Sequence, residues 1–184
     1  MVGPVKIHLT GDSITAAGRD PGDPADLGNG YVARLAAGLP GHEFANTGIN
    51  GHRVTDLQER WERDVLVDKP DLLSIKIGAN DTWHGFLRNG LKARITDTLL
   101  RVRRTGTTTA DFEAGYRELL ERSRASGIER IILVEPFLIP VDAGQQQMLP
   151  DLEEKMAVVR RLADEFGTLF VPLHQEFTHA CTNR

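Results

Sequence analysis

"VKIHLTGDSITAAG", residues 5–18, sets the architecture, because one regular pattern ends inside it and another begins. Val5 to Leu9 alternates apolar and polar side chains and reads as a short strand ending at Gly11. From Asp12 onward the chain turns into something helix-like. Ser13 stands at that junction. A serine there is either a nucleophile on the rim of a sheet or an N-cap for the helix that follows, and the stretch by itself leaves both readings open.

The strand-to-helix step recurs along the chain. Tyr31 to Leu39 has helical spacing (Tyr31, Leu35, Leu39) and stops before Pro40-Gly41. Glu43 to Thr47 is a second strand. Val54 to Leu66 carries Leu57, Trp61 and Val65 at four-residue intervals, a helix with one apolar stripe. Leu72 to Ile77, nearly continuous in apolar residues, is a third strand covered on both faces. Gly85 to Thr109, with Asn89-Gly90, a candidate short helix through Leu99-Leu100, and Gly106, is expected to be a mobile excursion over one end of the domain. Thr109, Asp111 and Glu113 then start a helix with Phe112, Tyr116, Leu119 and Leu120 buried and Gly127 as its stop. Ile131 to Val134 is a fourth strand, Pro150 to Phe166 a helix closed by Gly167, and Leu169 to Leu173 a fifth strand. Strict alternation of strands and helices predicts a parallel sheet with helices on both faces. The fold class is therefore α/β: a three-layer α/β/α domain with a five-stranded, flavodoxin-like parallel sheet, one domain over residues 1–184.

Composition narrows the function classes. The 184 residues allow a single domain with a sizeable core, and the formal net charge of −4 gives no basic footprint for nucleic acid. The densest basic run, Arg101 to Arg104, reads as a solvated surface segment. Cys181 is the only cysteine, so an intrachain disulfide or a thiolate cluster is excluded. No leader-like segment and no apolar run of membrane-spanning length stands out, and the default expectation is a cytoplasmic protein that binds no membrane. The histidines are scattered without ligand spacing, so neither a metal nor another cofactor is expected.

Three polar, glycine-bearing stretches follow the first three strands: "GDSIT" (11–15), "NTGINGHR" (46–53) and "GANDTW" (78–83). In a parallel sheet all three lie on the carboxyl rim, where such folds bind ligands, with neighbouring strands about 4.8 Å apart. Acyl transfer needs a nucleophilic oxygen and two or three donors aimed at the developing oxyanion. The Ser13 N–H at a helix start could be one. The amide of Gly51, where glycine allows positive φ and close approach, could be a second. The side-chain amide of Asn80 could be the third, carrying donors but no charge. Taken singly, each motif is equally well a turn or a cap. Together, in this order and each at a strand end, they point to chemistry.

"GDSIT", "NTGINGHRVTDL" and "GANDTW" resemble the first three sequence blocks of the GDSL-like, or SGNH, hydrolase family, and the αβ pattern agrees from Lys6 to about Leu173. The resemblance implies a three-layer α/β esterase acting on small acyl esters, often acetyl esters of carbohydrates, with Ser13 as nucleophile and Gly51 and Asn80 completing the oxyanion hole. Asp12 then organises the loop and does not react. The family draws its histidine base and orienting acid from an Asp-x-x-His block beyond the fifth strand, and no such block occurs there in these residues. Asp81-Thr82-Trp83-His84 has the letters but overlaps the oxyanion loop and reads as chance. His174, or Glu176 with His179, is a stand-in only if its geometry reaches Ser13. His8 reads as packed, and His42 and His52 as surface or substrate-lining. The expectation is a C-terminally incomplete form of a longer hydrolase, liable to poor stability or self-association where a last helix is missing. Two rivals remain: a catalytically inactive, hydrolase-shaped binding module, and, more weakly, a nucleotide binder on the same rim, for which the glycine-rich cradle and lysine of a P-loop are lacking.

Overall fold

The computed structural model describes residues 3–89 and 107–182; residues 90–106, which hold most of the expected excursion, lie outside the described residues. Five parallel strands form one sheet in the order β2-β1-β3-β4-β5: β1 Lys6–Gly11, β2 Glu43–Asn46, β3 Leu72–Lys76, β4 Ile131–Val134 and β5 Leu169–Val171. This is the expected flavodoxin-like arrangement. It places β1 between β2 and β3, so the three motif-bearing loops leave adjacent strands on one rim.

The helices are α1 Ser13–Ala16, α2 Tyr31–Gly38, α3 Val54–Trp61, α4 Ala79–Asn89, α5 Thr109–Ala125, α6 Ala143–Gln146, α7 Leu149–Phe166 and α8 His174–Thr182. Several boundaries differ from the sequence reading, among them the end of β5, which stops at Val171 and not at Leu173. The helix expected to reach Leu66 is α-helical only to Trp61 and continues as a π-helical turn, Glu62–Leu66. The segment expected to start the excursion at Gly85 is still helical there, in α4, which runs on to Asn89.

Alternation along the strands gives the sheet two unlike faces. Leu73, Ile75, Ile131 and Leu133 share one face and join Leu57, Trp61, Phe112, Tyr116, Val159 and Leu162 from α3, α5 and α7 in the main core. Phe112 and Tyr116 meet edge to face at 5.6 Å. The other face, approached by α1 and α2, carries Leu9, Asn46, Ser74 and Lys76, so β3 is buried on both faces without being apolar on both. None of the described helices is long and apolar enough to cross a membrane.

Candidate active site

Asp12, and not Ser13, caps α1: its Oδ1 accepts the Ile14 N–H at 3.0 Å. Ser13 is therefore the first helical residue, with its side chain exposed at the carboxyl end of β1 and its own N–H among the unpaired donors of the helix start. Beneath it lies a buried ion pair. The Lys76 ammonium sits 3.0 and 3.2 Å from the Asp12 carboxylate oxygens, and both side chains are 1% exposed. Burial pulls the Lys76 pKa down while Asp12 holds it up. Asp12 thus organises the turn, as expected.

The second loop is pressed against the first. The Thr47 and Ile49 N–H groups donate to the Leu9 and Gly11 carbonyls (2.9 and 3.1 Å), extending the pairing past the end of β2. Asn46 braces the turn internally, accepting from the Gly48 N–H and donating to the Thr15 and Leu27 carbonyls. A Cβ on Gly48 would lie 2.3 Å from the Ala16 nitrogen, so only glycine lets this loop touch the helix that begins at Ser13. Gly51 has φ +78° and open space around it, so its requirement is conformational.

Asn80 lies in the first turn of α4, only four residues after β3, and its Nδ2 donates to the His52 carbonyl at 3.0 Å. That bond uses one of its two amide hydrogens. The structure therefore brings the Asn80 amide to the residue following Gly51, and the Gly48 turn to the helix of Ser13. All three predicted site residues lie on the carboxyl rim of β2, β1 and β3.

Arg60 was not foreseen. It is 5% exposed and links the pieces from below: to the Thr47 carbonyl (2.7 Å), the Gly11 carbonyl (3.4 Å), His52 Nδ1 (3.2 Å) and Asp64 (2.6 Å). The only sequence signal was a charge inside the Leu57–Trp61 apolar stripe. Because Arg60 donates to Nδ1, neutral His52 carries its proton on Nε2, and burial together with Arg60 holds its pKa below the usual histidine value. Asp81 is buried and accepts from the Val54 N–H with both oxygens (3.3 and 3.2 Å), which spends its carboxylate on α3 and agrees with reading the local Asp-x-x-His letters as chance.

The other histidines occupy separate places. His8 is packed, with Nδ1 on Asp68 and Nε2 on Thr47 Oγ1, both at 2.8 Å. His42 Nδ1 accepts from the Val5 N–H near the start of β1. His174 opens α8, where its N–H and that of Leu173 donate to the buried Glu135 carboxylate at 2.9 Å. Glu176 and His179 ride on α8, whose Phe177 stacks on Phe137 at 4.5 Å; Phe137 in turn lies 5.1 Å from the Lys76 ammonium.

Comparison with known proteins agrees with this fold. The GDSL-like Lipase/Acylhydrolase family matches residues 9–183. An acetylxylan esterase of Geobacillus stearothermophilus is 33% identical over 182 residues, covering 94% of this chain and 77% of that protein. A structure of a catalytic mutant of Axe2, an acetylxylan esterase from the same organism, superposes with TM-score 0.82 at 30% identity, over 100% of this chain and 83% of that one. LAE5, an alpha/beta hydrolase enzyme from the metagenome of Lake Arreo, Spain, gives 0.81 at 29% identity, over 100% and 84%. The chain belongs to the GDSL-like lipase/acylhydrolase family and is a carboxylic ester hydrolase with that family's three-layer fold.

Proposed function

We propose that this chain is a serine esterase for small acyl esters, acetyl groups on carbohydrate alcohols above all, with Ser13 as nucleophile and Gly51 and Asn80 as oxyanion donors. The observation that carries the reading is the 3.0 Å bond from Asn80 Nδ2 to the His52 carbonyl, which sets a neutral amide donor beside the Gly51 loop and on the rim where Ser13 is exposed. The acetyl preference draws support from the acetylxylan esterase relative.

In this reading Ser13 Oγ attacks the ester carbonyl carbon while its proton passes to a histidine base of the kind the family carries in its Asp-x-x-His block. The carbonyl oxygen becomes an oxyanion and takes hydrogen bonds from the Ser13 N–H, the Gly51 N–H and the second Asn80 Nδ2–H. Collapse breaks the carbon–oxygen bond, and the alcohol leaves with the proton from the histidine. Water, activated by the same base, then attacks the acyl-serine and releases the acid. Each donor is worth about 10²–10³ in turnover.

Ser13→Ala should abolish hydrolysis of p-nitrophenyl acetate and labelling by a fluorophosphonate while the thermal midpoint stays near wild type. Unchanged turnover or unchanged labelling refutes the assignment.

A further inference from the structure

Asn80 and Asp81 are neighbours in the first turn of α4, and their side chains grip the same short segment with opposite polarity. Asn80 donates to the His52 carbonyl at 3.0 Å, and Asp81 accepts from the Val54 N–H at 3.2 Å. The segment from Gly51 to Val54 is thereby held at two points two residues apart, once by its acceptor and once by its donor. A one-residue slip would break both bonds.

The second grip meets a need that α3 cannot meet locally. Val54 is the first residue of α3, completely buried, so its N–H is an orphan donor cut off from water. The N-cap position holds Arg53, whose side chain has no acceptor. Asp56 serves the Arg53 N–H at 2.8 Å but does not reach Val54. The missing cap comes from Asp81, 27 residues downstream, and Asp81 is 1% exposed.

We propose that Asp81 is a positioning residue of the oxyanion hole: its buried carboxylate caps α3 from a neighbouring element and so fixes the Gly51 amide opposite the Asn80 amide. The proposal rests on the esterase reading of Ser13, Gly51 and Asn80. Asp81 touches no reacting atom and acts only through the segment it holds.

Burial pushes the Asp81 carboxyl up to about 7, against the pull of the Thr107 hydroxyl, the Val54 N–H, Lys155 and Arg53. Between the ordinary carboxylate value and about 7, the folded chain holds a proton that the unfolded chain has released. Stability from this group is therefore present at acid pH and lost as pH rises through about 7. The ionised carboxylate offers both oxygens as acceptors to the Val54 N–H.

The test compares wild type, Asp81→Asn and Asp81→Ala by three readouts: kcat and KM with p-nitrophenyl acetate, thermal midpoint at pH 8, and hydrogen exchange of the amides of residues 49–57. Asp81→Ala is expected to lose kcat by on the order of 10–100-fold with KM little changed, and to speed exchange in that segment. Asp81→Asn, which removes the buried charge, should also lose kcat while its midpoint at pH 8 is no lower than wild type. Wild-type kcat in both variants, a kcat loss that only follows a fallen midpoint, or unchanged exchange overturns the proposal. If Ser13-dependent turnover is absent from the wild type, the esterase reading fails, and the exchange readout still decides whether Asp81 holds the segment.

Discussion

Lys76→Met tests whether the ion pair under Ser13 holds the nucleophile turn. Lys76 is the last residue of β3, and its ammonium contacts both oxygens of Asp12 at 3.0 and 3.2 Å with both side chains sealed from solvent. Methionine fills much of the same volume but carries no charge, leaving the Asp12 carboxylate buried with the Ile14 N–H to hold it. Stranding one member of a buried pair costs about 3–5 kcal/mol. For a chain of this size each kcal/mol moves the thermal midpoint by about 2–4 °C, so the expected fall is roughly 6–20 °C. Asp12→Asn keeps an oxygen for the Ile14 cap but strands the ammonium. The double variant removes both charges and should recover most of the loss, because two buried ions often contribute no more than neutral residues of equal volume. Thermal and urea unfolding of the four proteins closes the cycle, and the coupling between the sites should exceed about 1 kcal/mol. A single-variant loss below about 1 kcal/mol, or simple additivity, would show that the turn is held by its backbone alone.

Two further outcomes are expected. Gly48→Ala places a Cβ 2.3 Å from the Ala16 nitrogen, with backbone on both sides of the clash. It should cost about 1–3 kcal/mol and reduce kcat by displacing Ser13, whereas Gly51→Ala, with nothing within 4 Å of the added atom, should cost only the roughly 1–2 kcal/mol of a positive φ; unfolding titrations with matched kcat values separate them, and equal effects would refute the distinction. His8 is held below the usual histidine pKa chiefly by burial, although Asp68 opposes this. The unfolded chain therefore binds a proton that the folded chain refuses as pH falls below that usual value, and stability should drop there by up to about 1.4 kcal/mol per pH unit. His8→Gln should flatten this slope in urea unfolding between pH 5 and 8, and an unchanged slope would remove His8 as its source.

The fold was legible because the strand–helix alternation is written in side-chain spacing. What spacing cannot convey is backbone bonding. Leu57, Trp61 and Val65 lie on one stripe whether the carbonyls bond four or five residues on, so the change to a π turn after Trp61 left no mark. The fifth strand stops at Val171 and not Leu173 because Pro172 has no N–H to give. The excursion was expected from Gly85, yet a single glycine costs a helix only about 1 kcal/mol, and α4 continues through it. Ser13, Gly51 and Asn80 stood out as candidates only because three polar, glycine-bearing stretches follow three successive strands; each alone is ordinary turn or cap chemistry. Lys76, Arg60 and Asp81 were invisible as supports, since each takes its meaning from partners distant in sequence: Asp12 lies 64 residues from Lys76, Gly11 lies 49 from Arg60, and Val54 lies 27 from Asp81.

Those three buried charges share a logic. An oxyanion is best stabilised by dipoles already fixed in place, because a group that must reorient gives back part of what it contributes. The proposed donors here are two backbone amides and one carboxamide, all neutral, so none holds a counterion that a substrate would have to displace. The charges lie beneath, in a medium where a misplaced partner is costly. Lys76 is matched by Asp12 and Arg60 by Asp64, and each pair also bonds to the backbone of the loops above. Moving the Ser13 turn would strain the Lys76–Asp12 contact, and moving the loop after β2 would strain the bonds of Arg60, so the penalty of disturbing a buried charge adds to the weak preferences of short glycine-bearing loops in holding these segments.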